Sequence, residues 1–345
     1  MKRLIKPPKL NPGDKVATVS LSSGGAGDDN KRWRYLQGKE RLNKLFGLDA
    51  VEMPHTLAGT EYAYSHPEAR AEDMMAAFSD PSIKAVFSCI GGEDTIRLLP
   101  YIDYDVIRNN PKVFIGYSDT TVNHFMCYKA GLSSFYGAAV LTDFAENIQM
   151  PDYTVHWLKK ALFSAEPIGS IGPSETWTSE LLRWVIENKN TARKFAPNNG
   201  YELLQGSGKI TGRLIGGCIE VFDWLRGTEL FPDIDDFRDA VLFLETSEEM
   251  PEPNRIRYIL RTIGATGILD RINGILFGKP FNDRYHDEYK PEIQKVLSEY
   301  GRRDLPVLYN LSFGHCEPKL CIPYGALAEI DCDNKTFSIL ESGVV

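Results

Sequence analysis

The sequence lacks any uninterrupted apolar stretch approaching the ~20 residues of a membrane-spanning helix; its longest runs, such as Ala240 to Leu244, are strand-sized. Met1 to Lys15 carries five Lys/Arg and three prolines but no apolar core of a secretory signal. A soluble, cytoplasmic protein without membrane partners is therefore expected. The six cysteines (Cys89, Cys127, Cys218, Cys316, Cys321, Cys332) include no C-x-x-C pair, which excludes a zinc ribbon or redox dithiol and leaves reduced packing thiols. No G-x-G-x-x-G follows a strand, no H-E-x-x-H occurs and no dense His/Asp cluster is present, so neither a dinucleotide cofactor nor a metal is expected. Gly206-Ser-Gly-Lys209 is not a phosphate loop, because Leu203 stands where the pattern needs glycine and Ile210 where it needs Ser/Thr. An excess of positive charge is missing too. With 39 Lys+Arg against 47 Asp+Glu the net charge is -8, and nucleic acid is not an expected partner.

What is present is an ordinary globular composition over 345 residues, enough for one large or two ordinary domains. From Lys15 to about Ala165 short apolar runs alternate with amphipathic segments, the pattern of β-α units. Strands are expected at Lys15–Ser20, Lys84–Ile90 and Lys112–Gly116, and helices at Lys31–Leu45, His66–Phe78 and Asp119–Ala130, the last ending at Gly131. Between Ser164 and Gly208 the composition shifts to Ser, Pro, Asn, Gly and Trp, with one helical island from Ser179 to Glu187. Beyond it come a strand (Lys209–Leu214), a Gly216-Gly217 turn, a helix to Leu225 and a strand at Ala240–Glu245. Further helices (Pro253–Ile263, Glu288–Tyr300), short strands (Ile275–Gly278, Val307–Tyr309) and a hairpin-like tail (Cys321–Leu340) complete the pattern. The fold class is thus α/β. A doubly wound, mainly parallel domain occupies residues 1–165, a connection 166–207, and a smaller α/β domain rich in β structure 208–345.

Three places could carry chemistry. Gly116-Tyr117-Ser118-Asp119 lies where a buried strand turns into a helix, a geometry that presents a serine hydroxyl beside free helix amides. A plain helix cap is the competing reading. Ile90-Gly91-Gly92 follows another strand, and its glycines permit close backbone approach to a ligand or simply a tight turn. Glu245 ends the strand Ala240-Val-Leu-Phe-Leu, where ligand-facing groups collect in α/β folds, or is a solvated strand end. His315 sits in a loop, Phe313-Gly314-His315-Cys316-Glu317-Pro318. In chain order Ser118, Glu245 and His315 are separated by 127 and 70 residues, the order of Ser-acid-His hydrolases. A serine hydroxyl needs a neutral imidazole to take its proton and a carboxylate to hold the imidazolium.

These motifs, in this order, resemble the serine LD-carboxypeptidases, and within them the microcin C immunity branch. The resemblance covers nearly the whole chain: Pro12 to Ala17, Gly91-Gly92, Gly116 to Asp119, Gly212 to Gly217, Leu244 to Ser247, and Gly314-His315 followed by Ile322-Pro323-Tyr324-Gly325. It implies that Ser118 is the nucleophile, His315 the base and Glu245 its orienting acid, with the backbone amides of Asp119 and Gly92 as oxyanion donors. Many members carry a third glycine and an aromatic where this chain has Glu93-Asp94. The Trp-bearing connection resembles the immunity branch, in which a tryptophan stacks on the substrate nucleobase, a role for Trp184 or Trp177. At Trp184, seven residues after Trp177, an apolar helix face is the alternative.

The expected activity is metal-independent serine peptidase or amidase chemistry through an acyl-enzyme. The target is an amide next to a free carboxylate or to an acyl-sulfamate or phosphoramidate-like group. Its substrate is a peptidyl- or aminoacyl-nucleotide of the microcin C type, in detoxification, or the terminal D-alanine of a muropeptide tetrapeptide, in cell-wall recycling. A non-catalytic small-ligand binder on the same cleft is the reading from another class. A homodimer is what the resemblance and base rates suggest.

Overall fold

The computed structural model describes residues 3–345. Five parallel strands, β1 (Lys15–Val19), β2 (Asp49–Glu52), β3 (Ile83–Ser88), β4 (Val113–Gly116) and β5 (Phe135–Tyr136), build the first sheet. The central β3 and β4 are apolar and buried almost end to end, as expected of parallel strands covered on both faces. The covering helices are α1 (Arg32–Phe46), α2 (Thr60–Ser65), α3 (Pro67–Ser79), α4 (Tyr104–Asn109), α5 (Thr121–Ala130) and α6 (Asp152–Leu162). As the sequence predicts, α3 opens on Pro67 and α5 ends at Gly131, which takes the left-handed conformation.

The second sheet is built from more of the chain than its expected domain. Its strands are β6 (Gly169–Ile171), β9 (Glu202–Gln205), β10 (Lys209–Cys218), β11 (Ala240–Glu245), β12 (Gly274–Gly278), β13 (Val307–Leu311), β15 (Leu327–Asp331) and β16 (Thr336–Ile339). They lie in the order β6-β16-β15-β10-β11-β12-β13-β9, parallel from β10 to β13 and antiparallel outside that block. The helices α7 (Ile219–Leu225), α8 (Pro253–Ala265) and α9 (His286–Glu299) accompany it. Segment 166–207, expected as a connection, thus supplies both edge strands, β6 and β9, along with the small ribbon of β7 (Thr176–Trp177) and β8 (Ala196–Pro197).

Three local expectations are corrected. Ser179–Glu187 is not a helix: residues 179–185 run irregularly and only a 3₁₀ turn, Ile186–Asn188, follows. Gly216-Gly217 is not a turn but the last part of the ten-residue β10. There β10 pairs with β11 and meets the start of α5; a Cβ on Gly216 would run into the Phe243 carbonyl, and one on Gly217 would stand 2.6 Å from Thr121 Cγ2. The tail is only partly a hairpin. Before β15 and β16, the strand β14 (Ile322–Pro323) crosses back and pairs antiparallel with β5 of the first sheet. Tyr324 reinforces that crossing, its amide donating to Ser134 O at 2.8 Å and its hydroxyl to Gly216 O at 2.6 Å. All six cysteines are buried free thiols. Among the described residues no helix is long and apolar enough to cross a membrane.

Candidate active site

Ser118 follows β4 directly and opens a 3₁₀ turn (Ser118–Thr120) that runs into α5. Its φ of 64° is left-handed, a strained conformation for a residue with a Cβ and the mark of a side chain forced out of a strand-to-helix bend. The bend is pinned from below by His124, whose ring nitrogens lie 2.9 Å from Gly116 O and 2.9 Å from Ser134 Oγ. Burial pushes the His124 pKa down to about 3, so it is a neutral strut.

The carboxylate of Asp119 fastens the glycine loop to this bend. Its Oδ2 accepts from Ser22 Oγ (2.6 Å), Thr95 Oγ1 (2.6 Å), Thr95 N (2.9 Å) and Asp94 N (3.0 Å). The loop consequently lies against the serine: a Cβ on Gly91 would stand 2.8 Å from Ser118 Cβ, 2.9 Å from its Oγ and 3.2 Å from the Asp119 amide nitrogen. Glycine is the residue that fits. Gly92, at φ 145°, lines the same cleft as Ser118.

Glu245 ends β11, fully buried. Its Oε2 lies 2.8 Å from His315 Nδ1, and its Oε1 accepts a 2.5 Å hydrogen bond from the Tyr136 hydroxyl. That same hydroxyl accepts from the Ser118 amide at 3.1 Å. One buried phenol thereby joins the backbone of the serine, on the first sheet, to the acid, on the second. Burial opposes the Glu245 charge, yet His315, Tyr136 and the nearby Lys319 together hold its pKa below the usual glutamate value. His315 shows the reverse balance: burial disfavours its charge, but Glu245 and Glu248 raise its pKa above the ordinary histidine value. Its other nitrogen, Nε2, faces Glu248 Oε2 at 3.2 Å.

A cleft of about 330 Å³ opens over these groups, lined by Ser118, His315, Gly91, Gly92, Trp184 and Arg34 among others. The Arg34 guanidinium stands 4.6 Å from the Trp184 ring centroid, fixed by hydrogen bonds to Leu141 O and Asn147 Oδ1. Behind the floor, buried Lys319 packs 3.5 Å from the Tyr117 ring centroid, with Asp143 at 3.2 Å and Glu317 at 3.3 Å. Burial works against its charge, but these neighbours keep its pKa above the ordinary lysine value. Arg193 joins the cluster, pairing with Glu146 and with Glu317 at 3.0 Å.

Of the residues singled out in the sequence, Ser118, His315, Gly92 and Trp184 line this one cleft, while Glu245 lies beneath it and Asp119 beside it. Trp184 does so from irregular chain, not from the helix face that its spacing from Trp177 suggested. Trp177 is not among the lining residues; it sits in the β7/β8 ribbon with Lys279 Nζ 4.0 Å from its ring centroid. Tyr136, Glu248, Lys319 and Arg193 were not anticipated. The one signal available for Tyr136 was a tyrosine on a short buried segment, whose hydroxyl must find a partner.

Residues 16–137 match the model of the LD-carboxypeptidase N-terminal domain, and residues 211–330 that of the C-terminal domain. The chain belongs to the LD-carboxypeptidase family. It is 31% identical over 312 residues to the microcin C7 self-immunity protein MccF of Escherichia coli, covering 89% of this chain and 88% of that one. It is likewise 31% identical over 350 residues to a Bacillus subtilis protein described as a probable murein peptide carboxypeptidase, covering 98% and 95%. Among solved structures, a MccF-like protein from Streptococcus pneumoniae in complex with AMP superposes with a TM-score of 0.87 at 37% identity, over 94% of this chain and 98% of that one. MccF in complex with aspartyl sulfamoyl adenosine gives 0.85 at 28% identity, over 99% and 100%. The chain is thus a two-domain α/β protein of a serine peptidase family.

Proposed function

We propose that this chain hydrolyses the amide bond of aminoacyl- or peptidyl-nucleotide compounds, with Ser118 as nucleophile. In this reading His315 Nε2 takes the Ser118 proton as Oγ attacks the carbonyl carbon. Glu245 holds the resulting imidazolium through Nδ1. The amides of Gly92 and Asp119 receive the oxyanion, His315 then protonates the departing nitrogen, and water releases the acyl group from Ser118. Trp184 offers its ring to the nucleobase, and Arg34 lends positive charge beside it. Trp177 has no part in it.

The observation that carries the reading is the unbroken set of contacts Ser118 N–Tyr136 Oη–Glu245–His315 beneath a cleft that the Trp184–Arg34 pair also lines. Its support from relatives is that MccF and a MccF-like protein bind an aminoacyl sulfamoyl nucleoside and AMP, respectively. The equal identity to the Bacillus subtilis relative favours a second substrate for the same machinery, the L,D-amide of a muropeptide tetrapeptide.

The test is mass-spectrometric cleavage of aspartyl sulfamoyl adenosine and of a muropeptide tetrapeptide by wild type, Ser118→Ala and Trp184→Ala. Nucleotide cleavage that vanishes in Ser118→Ala and suffers chiefly in KM in Trp184→Ala is the expected result. Turnover surviving Ser118→Ala refutes the mechanism, and cleavage of the muropeptide alone transfers the assignment to cell-wall recycling.

A further inference from the structure

Residues 178–194 form a strap at the cleft and bring Leu181, Leu182 and Trp184 to its lining. None of residues 180–195 is buried, so apolar burial contributes little to where the strap lies; of its side chains Trp184, half-buried, packs against the hydrophobic core. Polar contacts hold the rest. At the start of the strap Thr178 and Glu317 exchange both backbone hydrogen bonds, at 2.7 and 2.9 Å. At its end the Lys194 amide donates to Glu180 Oε2 at 2.6 Å, closing the strap on itself. In its middle the Asn147 side-chain amide donates to Asn188 O and to Thr191 O, both at 2.9 Å.

Arg193 ties this strap to two other segments. Its guanidinium donates to Glu317 Oε2 at 3.0 Å, to Glu146 Oε2, and back to Glu180 O at 3.3 Å. Glu317 stands two residues after His315, and Glu146 lies between β5 and α6, next to the Asn147 that holds both the strap and Arg34. The Arg193 side chain is 11% exposed and its two carboxylates 5% and 9%, where solvent screens little. Burial opposes the charge of Arg193, yet Glu317 and Glu146 raise its pKa above the ordinary arginine value. A planar guanidinium between carboxylates on different segments is a clamp that the single ammonium of a lysine matches only in part. Without Arg193, Glu317 keeps Lys319 at 3.3 Å and its backbone pairing with Thr178. The His315 loop therefore stays anchored, and the strap is what is released.

We propose that Arg193 is a positioning residue for the nucleotide end of the substrate: by clamping the strap to Glu317 and Glu146 it holds Trp184 at a fixed spacing from His315. The inference rests on the assignment of Trp184 to the nucleobase, and it adds the determinant that keeps that ring in place before a ligand arrives. Arg193 itself touches no reacting atom. Its contribution is preorganisation: a strap in place only about a tenth of the time weakens every ligand that stacks on Trp184 about tenfold. The chemistry between Ser118 and His315 is unaltered once such a ligand is bound. By linkage, the ligand stabilises the placed strap in turn.

The test compares full-length wild type, Arg193→Met and Arg193→Lys, each with and without Trp184→Ala. Limited trypsin digestion reads the strap directly: cleavage after Arg183 and Lys189 is expected to quicken in Arg193→Met, less so in Arg193→Lys, and to slow again when AMP is added. Calorimetry with AMP reads the wall. Arg193→Met is expected to weaken AMP about tenfold, but to add less than about a further twofold when Trp184 is already alanine. With aspartyl sulfamoyl adenosine the loss is expected in KM, with kcat within about threefold of wild type; a general packing defect would lower kcat and would not depend on Trp184. Arg193→Lys carries the same comparisons if Arg193→Met fails to fold. Unchanged digestion in both Arg193 variants overturns the clamp, whatever the substrate is. Additive losses for Arg193→Met and Trp184→Ala overturn its action through Trp184. A wild type that neither binds AMP nor cleaves the nucleotide compound overturns the positioning role together with the nucleotide reading, and digestion then judges the clamp alone.

Discussion

Replacing Tyr136 with phenylalanine deletes one oxygen from a residue 1% exposed, and the structure fixes what that oxygen does. It donates to Glu245 Oε1 and accepts from the Ser118 amide, so its loss leaves a buried carboxylate oxygen and a backbone donor without partners. A hydrogen bond to a charged group contributes about 1.5–3 kcal/mol. If about 2 kcal/mol of this carries through to the transition state, kcat falls roughly thirtyfold at 1.36 kcal/mol per decade. KM should stay within about twofold, because Tyr136 is not among the cleft-lining residues. The pH profile supplies a readout that a packing role would not move. Glu245 has a depressed pKa in the fold, so its contribution is present above the unfolded carboxylate value and lost as pH falls through the folded one. Losing the Tyr136 donor raises the folded pKa, so Tyr136→Phe should lose activity and fold at a higher pH than wild type on acidification. Steady-state kinetics from pH 4 to 8, paired with acid unfolding followed by circular dichroism, measure both. A variant with wild-type kcat and an unmoved acid limb refutes the positioning role.

Two further substitutions separate the surroundings of Ser118 from the buried cluster behind the cleft. Gly91→Ala puts a methyl 2.8 Å from Ser118 Cβ, and displacing the hydroxyl should cost about a hundredfold in single-turnover rate; a fully active Gly91→Ala would show that the loop yields instead. Lys319→Met removes the cation that Asp143 and Glu317 share, leaving Asp143 buried without one while Glu317 keeps Arg193, and should destabilise the fold by about 3–5 kcal/mol. Chemical denaturation measures that loss, and a change below about 1 kcal/mol would mean that the cluster relaxes by taking up protons or water.

The alternation of strands and helices was legible because the parallel strands are nearly continuous apolar runs, and Val113–Gly116 and Ala240–Glu245 announce themselves. Ser118, Glu245 and His315 could be picked out as candidates because each stands at a strand end or in a loop and their order is that of Ser-acid-His hydrolases, but that Glu245 is fully buried is a property of the fold alone. Ser179–Glu187 misled for a physical reason: Leu181, Leu182, Trp184, Val185 and Ile186 have helical spacing, but several of them line a cleft or face solvent, and Leu181 is 71% exposed. Gly216 and Gly217 read as a bend because glycine usually marks one, whereas here neighbouring backbone and Thr121 leave no room for a Cβ. Tyr136 was illegible because its partner Glu245 is 109 residues away, and nothing local encodes such a meeting. Glu248 lies only three residues beyond Glu245, but its approach to His315 is a property of the folded loops alone.

The return of β14 to the first sheet has a consequence for how the protein is made. As the chain leaves the ribosome, β1 to β5 emerge early, yet β5 has an open edge until Ile322–Pro323 follows, nearly two hundred residues later. An unpaired edge is a template for association with other chains, so the nascent protein carries that liability until Ile322–Pro323 has been made. His315 emerges only a few residues before the strand that closes the edge. The order of translation therefore withholds His315 from every fragment that ends before it, and the candidate site and the sealed sheet are completed almost together.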